Sequence, residues 1–369
     1  MAEQSILERW KRAVVHLEGV SRDADPNNVD EQLRQLDEKL RSGAISQEEY
    51  DELTSSLPAH GARSLGTAIF FAHMGRRYLI TARHVLADNY AAAKRLQEET
   101  ERNKRSMESP DPLPSSHYLD RLQSATESAE NLIYNLIVRV PSLNEALDSM
   151  NKGQDLVTMS GIMSLNTMAY TLTDKSLDIG ILSVDTGFNN NKQFMDELEA
   201  RGYEPITVGD IADGPSAEGA EVFSVGYPGG LTTVARLNLP IAVANWASKT
   251  VSVPAFVFGR VSVLHSALPY FWCDMSNYPG NSGAPVVENG KLIGIAVTQP
   301  ASLDEVLHSD TYEKLPARSK TGMPFAQVVK ANNVKKLIDT QLKKDEWYLA
   351  FKRPRPVPSS EHSTEQPKE

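Results

Sequence analysis

The stretch Tyr278-Pro279-Gly280-Asn281-Ser282-Gly283-Ala284-Pro285-Val286-Val287 joins a glycine-flanked loop to an apolar strand, and it limits the folds open to this chain more than any other segment. A serine that attacks a carbonyl needs an exposed hydroxyl, a tight turn and main-chain N–H groups aimed at the developing oxyanion. Glycines permit the unusual φ values of such a turn and keep side chains out of the way. The same residues also suit a plain Gly/Asn turn in a β protein. The two readings separate on whether a histidine and an acid stand upstream in suitable contexts.

Taken in order, residues 5–18 begin helix-like and end in Ala13-Val14-Val15-His16-Leu17, a candidate first strand. Leu33, Leu36 and Leu40 repeat at helical spacing, Ser42-Gly43 interrupts, and Ile45, Tyr50 and Leu53 resume. Ser46 and Glu49 have capping-box spacing. From Ser64 the texture becomes short strands: Gly66–Ala72, a turn at His73–Arg76, and Arg77–Thr81, followed by Ala82-Arg83-His84-Val85-Leu86. Residues 90–105 are helical by propensity, Pro110, Pro112 and Pro114 break the run, and Leu119–Val138 reads as a second amphipathic helix. Strands are expected again at Gln154–Ser160 and Thr167–Leu172 and after Asp178, then a short helix near 191–202. A second β set begins near Pro205 with Ile206–Val208, Ala220–Gly230, Thr232–Leu237, Ala255–Leu264, the Ser282 loop and Lys291–Val297; Pro324–Val329 reads as a closing strand and Asn332–Lys343 as a closing helix. Residues 353–369 are Pro- and Ser-rich and predicted to be disordered.

With 369 residues the chain has ample core for a two-lobed body. The net charge of −10 and the lack of a long basic cluster argue against a nucleic-acid surface. No run reaches the roughly 18 apolar residues of a membrane span, and the N-terminus lacks a signal-peptide core. A single cysteine, Cys273, excludes an intrachain disulfide and fits a reducing, cytoplasmic setting. No metal or other cofactor is expected.

His84 follows the end of one apolar strand, Asp178 precedes another, and Ser282 leads into a third. Asp174 and Asp185 are rival acids that read as turn residues. The order His, Asp, Ser is that of the chymotrypsin-like fold, and differs from the subtilisin and α/β-hydrolase orders. The segments Gly66-Thr67, Thr81–Val85, Leu177–Leu182, Val225–Gly230, Gly280–Pro285, Ile293–Ile295 and Gly322–Lys335 together resemble the trypsin-like serine peptidases, nearest to the HtrA and glutamyl-endopeptidase side. Leu33–Leu53 resembles the SHOCT helical hairpin, an accessory interaction or assembly element.

The resemblance implies a mostly β protein of two six-stranded barrels. The first spans about 61–185 and carries a helical insertion at 88–152; the second spans about 203–345. Residues 1–60 form an N-terminal strand/helix segment and hairpin ahead of this 61–350 body. Ser282 is then the nucleophile, His84 the general base and acid, and Asp178 its orienting acid, in a serine endopeptidase working through an acyl-enzyme. Gly280, Asn281 and Ser282 make the oxyanion hole. Ser276 and Ala296 stand where basic- or glutamate-specific relatives place a charged or imidazole group, so a small or medium apolar side chain is expected before the cut. Ala296, Val297, Thr298 and Gln299 would pair with the substrate backbone. The expected partners are a polypeptide substrate, a regulatory protein at the insertion, and further copies of the chain through the hairpin. No PDZ-type domain or export signal is expected, which leaves restraint of activity to the insertion. A competing reading is a non-catalytic trypsin-like scaffold that binds protein through the insertion; a third is acyl transfer on a small ester.

Overall fold

The computed structural model describes residues 2–21, 29–56, 63–109, 114–129, 132–140, 159–163, 171–185, 189–229, 232–236, 250–298, 301–307, 314–322 and 325–352. Helix α1 (Ala2–Arg12) leads into β1 (Val14–Val20), buried along its whole length with His16 and Glu18 included. A charged hairpin follows, α2 (Val29–Arg41) and α3 (Gln47–Ser56). Ser46 and Glu49 cap α3 reciprocally, through Ser46 N–H to Glu49 Oε2 at 2.9 Å and Glu49 N–H to Ser46 Oγ at 3.2 Å.

Strands β2 (Arg63–His73) and β3 (Arg76–Ala82) form a hairpin closed by Met74 and Gly75, both at positive φ (49° and 74°). Two left-handed residues in a two-residue loop match the right-handed twist of the flanking strands. The chain continues through a single turn, α4 (Arg83–Leu86), then α5 (Asn89–Met107) and α6 (Ser115–Ala129). Strands β4 (Asn135–Val140), β5 (Met159–Met163), β6 (Thr171–Asp174) and β7 (Ile179–Ser183) complete a seven-stranded sheet ordered β5-β4-β1-β2-β3-β7-β6. The N-terminal strand is thus built into this first lobe, between β2 and β4, and does not stand apart from the body.

Helix α6 ends at Ala129, short of the amphipathic helix predicted to reach Val138. The run Leu136-Ile137-Val138 is apolar on every side and partly β-branched, which suits a strand paired to β1. The described helical insertion is therefore narrower than 88–152. Its ends meet in a neck, where Ala87 bridges Ile133, Asp88 N–H donates to Leu132 O at 2.9 Å and Tyr134 N–H donates to Leu86 O at 2.9 Å.

After α7 (Asn189–Ala200) the second lobe begins. It contains β8 (Glu221–Gly226), β9 (Thr233–Arg236), β10 (Thr250–Ser252), β11 (Ala255–Val263), β12 (Tyr270–Asp274), β13 (Pro285–Glu288) and β14 (Lys291–Thr298). A hairpin of β15 (Ala301–Leu307) and β16 (Lys314–Gly322) precedes β17 (Ala326–Lys330). That hairpin was not anticipated; its sequence, with Asp304, Glu305, Lys314, Arg318 and Lys320, offers no apolar alternation to read. Strands β11-β12-β17-β14-β13-β8 close a barrel around Val222, Val261, Phe271, Val286, Ile293 and Val328. A larger apolar cluster, including Val15, Phe70, Leu79, Val225, Ile295 and Val329, crosses from one lobe to the other. Burying each such side chain stabilises by about 1.5–3 kcal/mol, so the lobes are welded rather than hinged.

Helix α8 (Ala331–Lys352) runs beyond the predicted end at Lys343 and packs back onto β7. Buried Asp345 accepts from Ser183 Oγ at 2.9 Å, Tyr78 Oη at 3.2 Å and Gln341 Nε2 at 2.7 Å. At the other terminus, buried Trp10 donates from Nε1 to Gly290 O at 3.2 Å. No helix among the described residues is long and apolar enough to cross a membrane. Residues 353–369, predicted to be disordered, lie outside the described residues.

Candidate active site

His84 stands on α4, directly after β3. Val85 and Leu86 are fully buried and lock this turn to the sheet, while the His84 side chain stays 41% exposed. Asp178 sits in the turn before β7, beside β3 in the sheet. Its Oδ2 accepts from His84 Nδ1 at 2.6 Å, its Oδ1 accepts the His84 backbone N–H at 3.0 Å, and its own carbonyl accepts Arg83 N–H at 2.8 Å. Asp178 adopts φ 55°, a left-handed conformation costing on the order of 1–3 kcal/mol unless its surroundings hold it. Here three hydrogen bonds to α4 do so.

The rival acids are spent elsewhere. Asp174 Oδ1 caps its own turn, accepting Ser176 N–H at 2.9 Å and Leu177 N–H at 3.1 Å. Asp185 is gripped by Arg77, through Nε to Oδ2 at 2.9 Å and Nη2 to Oδ1 at 3.0 Å.

Ser282 lies between Gly280 (φ 98°) and Gly283 (φ 90°). A side chain at Gly280 would strike Tyr227 O, and one at Gly283 would strike Thr67 O, so both glycines are required by space as well as by φ. Gly66 is the spacer between Ser282 and the His84 turn: a Cβ there would lie 2.5 Å from Val85 Cγ1 and 3.1 Å from Ser282 O. Ser282 Oγ rests against Val297 O at 3.5 Å. The N–H groups of Gly280 and Ser282 have no acceptor among the described residues. Asn281 does not share that geometry: its N–H donates to Tyr278 O at 2.9 Å and its side chain is buried. It stands between the two free donors and supplies none.

Ser276 is half-buried in the loop after β12. Ala296 is buried, and its backbone is committed: N–H to Ala284 O at 2.9 Å, and its O accepting Gly283 N–H at 2.7 Å. It braces the Ser282 loop and has no free backbone group for a substrate strand. The β14–β17 register shifts between Ala296 and Thr298, leaving Val297 out of the ladder with its carbonyl toward Ser282. Thr298 is exposed at the strand end, and Gln299 lies outside the described residues.

Burial pushes the Cys273 thiol up to about 12, so it holds its proton at neutral pH and does not compete as a nucleophile. Sequence reading gave Thr67 no role, yet it is wholly buried and its hydroxyl joins Gly280 O at 2.8 Å to Tyr227 N–H at 3.0 Å. The available signal was a hydroxyl placed within the otherwise apolar run Leu65–Ala72.

Residues 137–295 match the sequence model of the trypsin-like peptidase domain. The fold is that of the trypsin-like peptidases. The matched span holds Asp178 and Ser282 and begins beyond His84, on the far side of α5 and α6. Among solved structures, human heparin binding protein superposes with a TM-score of 0.35 at 10% identity, covering 79% of this chain and 88% of that one. An atomic-resolution structure of HBP gives 0.36 at 9% identity, with the same coverage of 79% and 88%. The trypsin-like assignment rests on the family match and the strand topology, not on these superpositions. Among curated proteins, none matches this sequence.

Proposed function

We propose that this protein is a serine endopeptidase. The observation that carries the reading is the double grip of Asp178 on His84, because it leaves Nε2 as the imidazole's free nitrogen. In this mechanism Ser282 Oγ bonds to the scissile carbonyl carbon as its proton passes to His84 Nε2. The carbonyl oxygen becomes an oxyanion facing the N–H groups of Gly280 and Ser282, each worth roughly 3–4 kcal/mol of transition-state stabilisation. Collapse breaks the C–N bond, and the amine departs with the proton from His84. Water, deprotonated by His84, then hydrolyses the acyl-enzyme and restores Ser282.

The absence of a charged or imidazole side chain at Ser276 and Ala296 favours a small or medium apolar side chain before the cut bond. With Ala296 committed to the Ser282 loop, substrate pairing falls to Val297 and Thr298. The insertion supplies a surface for a regulatory protein, and a single buried thiol suits a cytoplasmic, reducing setting. The test is fluorophosphonate labelling: wild type reacts and Ser282→Ala does not. A proteome-derived peptide library then reads the cleavage preference and separates peptidase from esterase.

A second reading, a non-catalytic binding scaffold, is favoured by the Ser282 hydroxyl lying on Val297 O instead of the imidazole. Absence of labelling in folded wild type would select it.

A further inference from the structure

We propose that Thr67 is a positioning residue for catalysis, the point at which the His84 lobe sets the nucleophile loop of the other lobe. The role rests on the peptidase reading of Ser282. Thr67 lies in β2, and its carbonyl accepts the hydroxyl of Thr81 on β3, the strand leading to His84, at 2.6 Å. Its N–H donates to Ser282 O at 2.9 Å. Its Oγ1 donates to Gly280 O at 2.8 Å and accepts Tyr227 N–H at 3.0 Å. These directions are forced, since a carbonyl cannot donate and an amide N–H cannot accept. The hydroxyl has one proton and uses it on the loop.

The rest of the loop shows why this matters. Gly229 N–H donates to Pro279 O at 2.7 Å, and Ala284 N–H donates to Asn281 O at 2.8 Å. In a trans peptide the carbonyl and the N–H point in opposite directions. Holding those two carbonyls therefore turns the N–H groups of Gly280 and Ser282 the other way, where both lack an acceptor among the described residues. Thr67 pins the alternate two carbonyls, Gly280 O and Ser282 O. Each peptide from Pro279 to Gly283 is thereby fixed. The pins at Gly280 O and Ser282 O come from the His84 lobe, so Thr67 sets where Ser282 and its oxyanion donors stand relative to His84. A purely structural buried threonine would not touch both ends of the nucleophile's own turn.

The near-isosteric Thr67→Val keeps the N–H but removes the hydroxyl, leaving Gly280 O and Tyr227 N–H unpaired; Thr67→Ser restores it. Amide hydrogen exchange over residues 277–285 is followed together with kcat, KM and fluorophosphonate labelling. For Thr67→Val, exchange over 277–285 is expected to rise about tenfold, corresponding to one lost hydrogen bond, while residues 76–82 are unchanged. The value of kcat is expected to fall about 100-fold with KM nearly constant, the cost of a misplacement near 1 Å. Thr67→Ser should recover most of both. Unchanged exchange over 277–285, or a loss of kcat no larger than the unfolded fraction explains, overturns the proposal. Should Thr67→Val not fold, Thr67→Ala removes the same hydroxyl without setting a methyl against Tyr227 N–H, and is read identically. If wild type itself fails to label, the peptidase reading falls. Rigid exchange over 277–285 in the valine variant is the separate result that removes Thr67's hold on the loop.

Discussion

Asp178 holds His84 at two atoms, accepting its backbone N–H at 3.0 Å and its Nδ1 at 2.6 Å. One contact fixes where the residue sits and the other fixes which way the ring faces. Asp178→Asn keeps the size and one acceptor but removes the charge that stabilises an imidazolium and selects the tautomer. In the proposed mechanism kcat should fall about 10,000-fold. The thermal midpoint should move little by comparison. Steady-state kinetics beside a thermal melt check this, and an equal fall of activity and stability would contradict it.

The Arg77–Asp185 pair gives the complementary control. Its side chains are 11% and 12% exposed, and Arg77 also reaches Asp196 at 2.7 Å and Glu199 at 3.2 Å on α7. Removing Asp185 takes away the most sheltered of Arg77's partners and the acceptor of its backbone N–H, while Asp196 and Glu199 still hold the guanidinium, so Asp185→Ala should lower stability by about 1–3 kcal/mol. Labelling of Ser282 per folded molecule should stay at the wild-type rate. Chemical denaturation and probe labelling on one preparation separate the two effects. A labelling defect beyond the folded fraction would reopen the choice of acid.

Sequence made the positions of His84, Asp178 and Ser282 legible because each marks the end of an apolar strand, and strand ends are where rigid backbone meets a cleft. The β2–β3 hairpin and the run into β14 were readable for the same reason. The sequence concealed what depends on contact between distant segments. Thr67 gains its role by meeting Gly280, far along the chain and in the other lobe. Leu136-Ile137-Val138 follows an amphipathic helix so closely that the helical period masks a strand whose partner, β1, lies near the N-terminus. The closing helix reads as ending at Lys343, although it continues to Lys352 and Asp345 is buried against Tyr78 and Ser183.

Asp345 makes stability depend on pH in a defined sense. Burial, outweighing the hydrogen bonds from Ser183, Gln341 and Tyr78 and the attraction of Arg76, raises its pKa above the ordinary carboxylate value. The folded state therefore holds this proton more tightly than the unfolded chain does. The group's contribution is greatest below the unfolded pKa and declines as pH rises through the folded one. Asp345→Asn cannot titrate, so the wild-type advantage in thermal midpoint should shrink from about pH 4 upward. Asp345→Ala, which strands three buried donors, should cost about 1–3 kcal/mol. A wild-type advantage that grows with pH would refute the sign.

Helices α5 and α6 can be removed without touching either lobe, because their ends already meet. Asp88 N–H donates to Leu132 O at 2.9 Å and Ala87 bridges Ile133, so a short Gly/Ser link from Asp88 to Leu132 closes the gap. Deletion must stop there: a cut extended through residue 150 would take β4, which pairs with β1 at the centre of the first sheet. The neck begins just after His84, and Tyr134 beside it packs so tightly on β1 that a Cβ on Gly19 would lie 2.7 Å from its ring. The insertion is thus tied at its base to the histidine-bearing turn, through Tyr134 N–H to Leu86 O. If it governs access to Ser282, the deleted protein should melt close to wild type yet label faster or cut a wider set of peptides. Identical labelling rates and an identical cleavage pattern would leave the helices no part in gating.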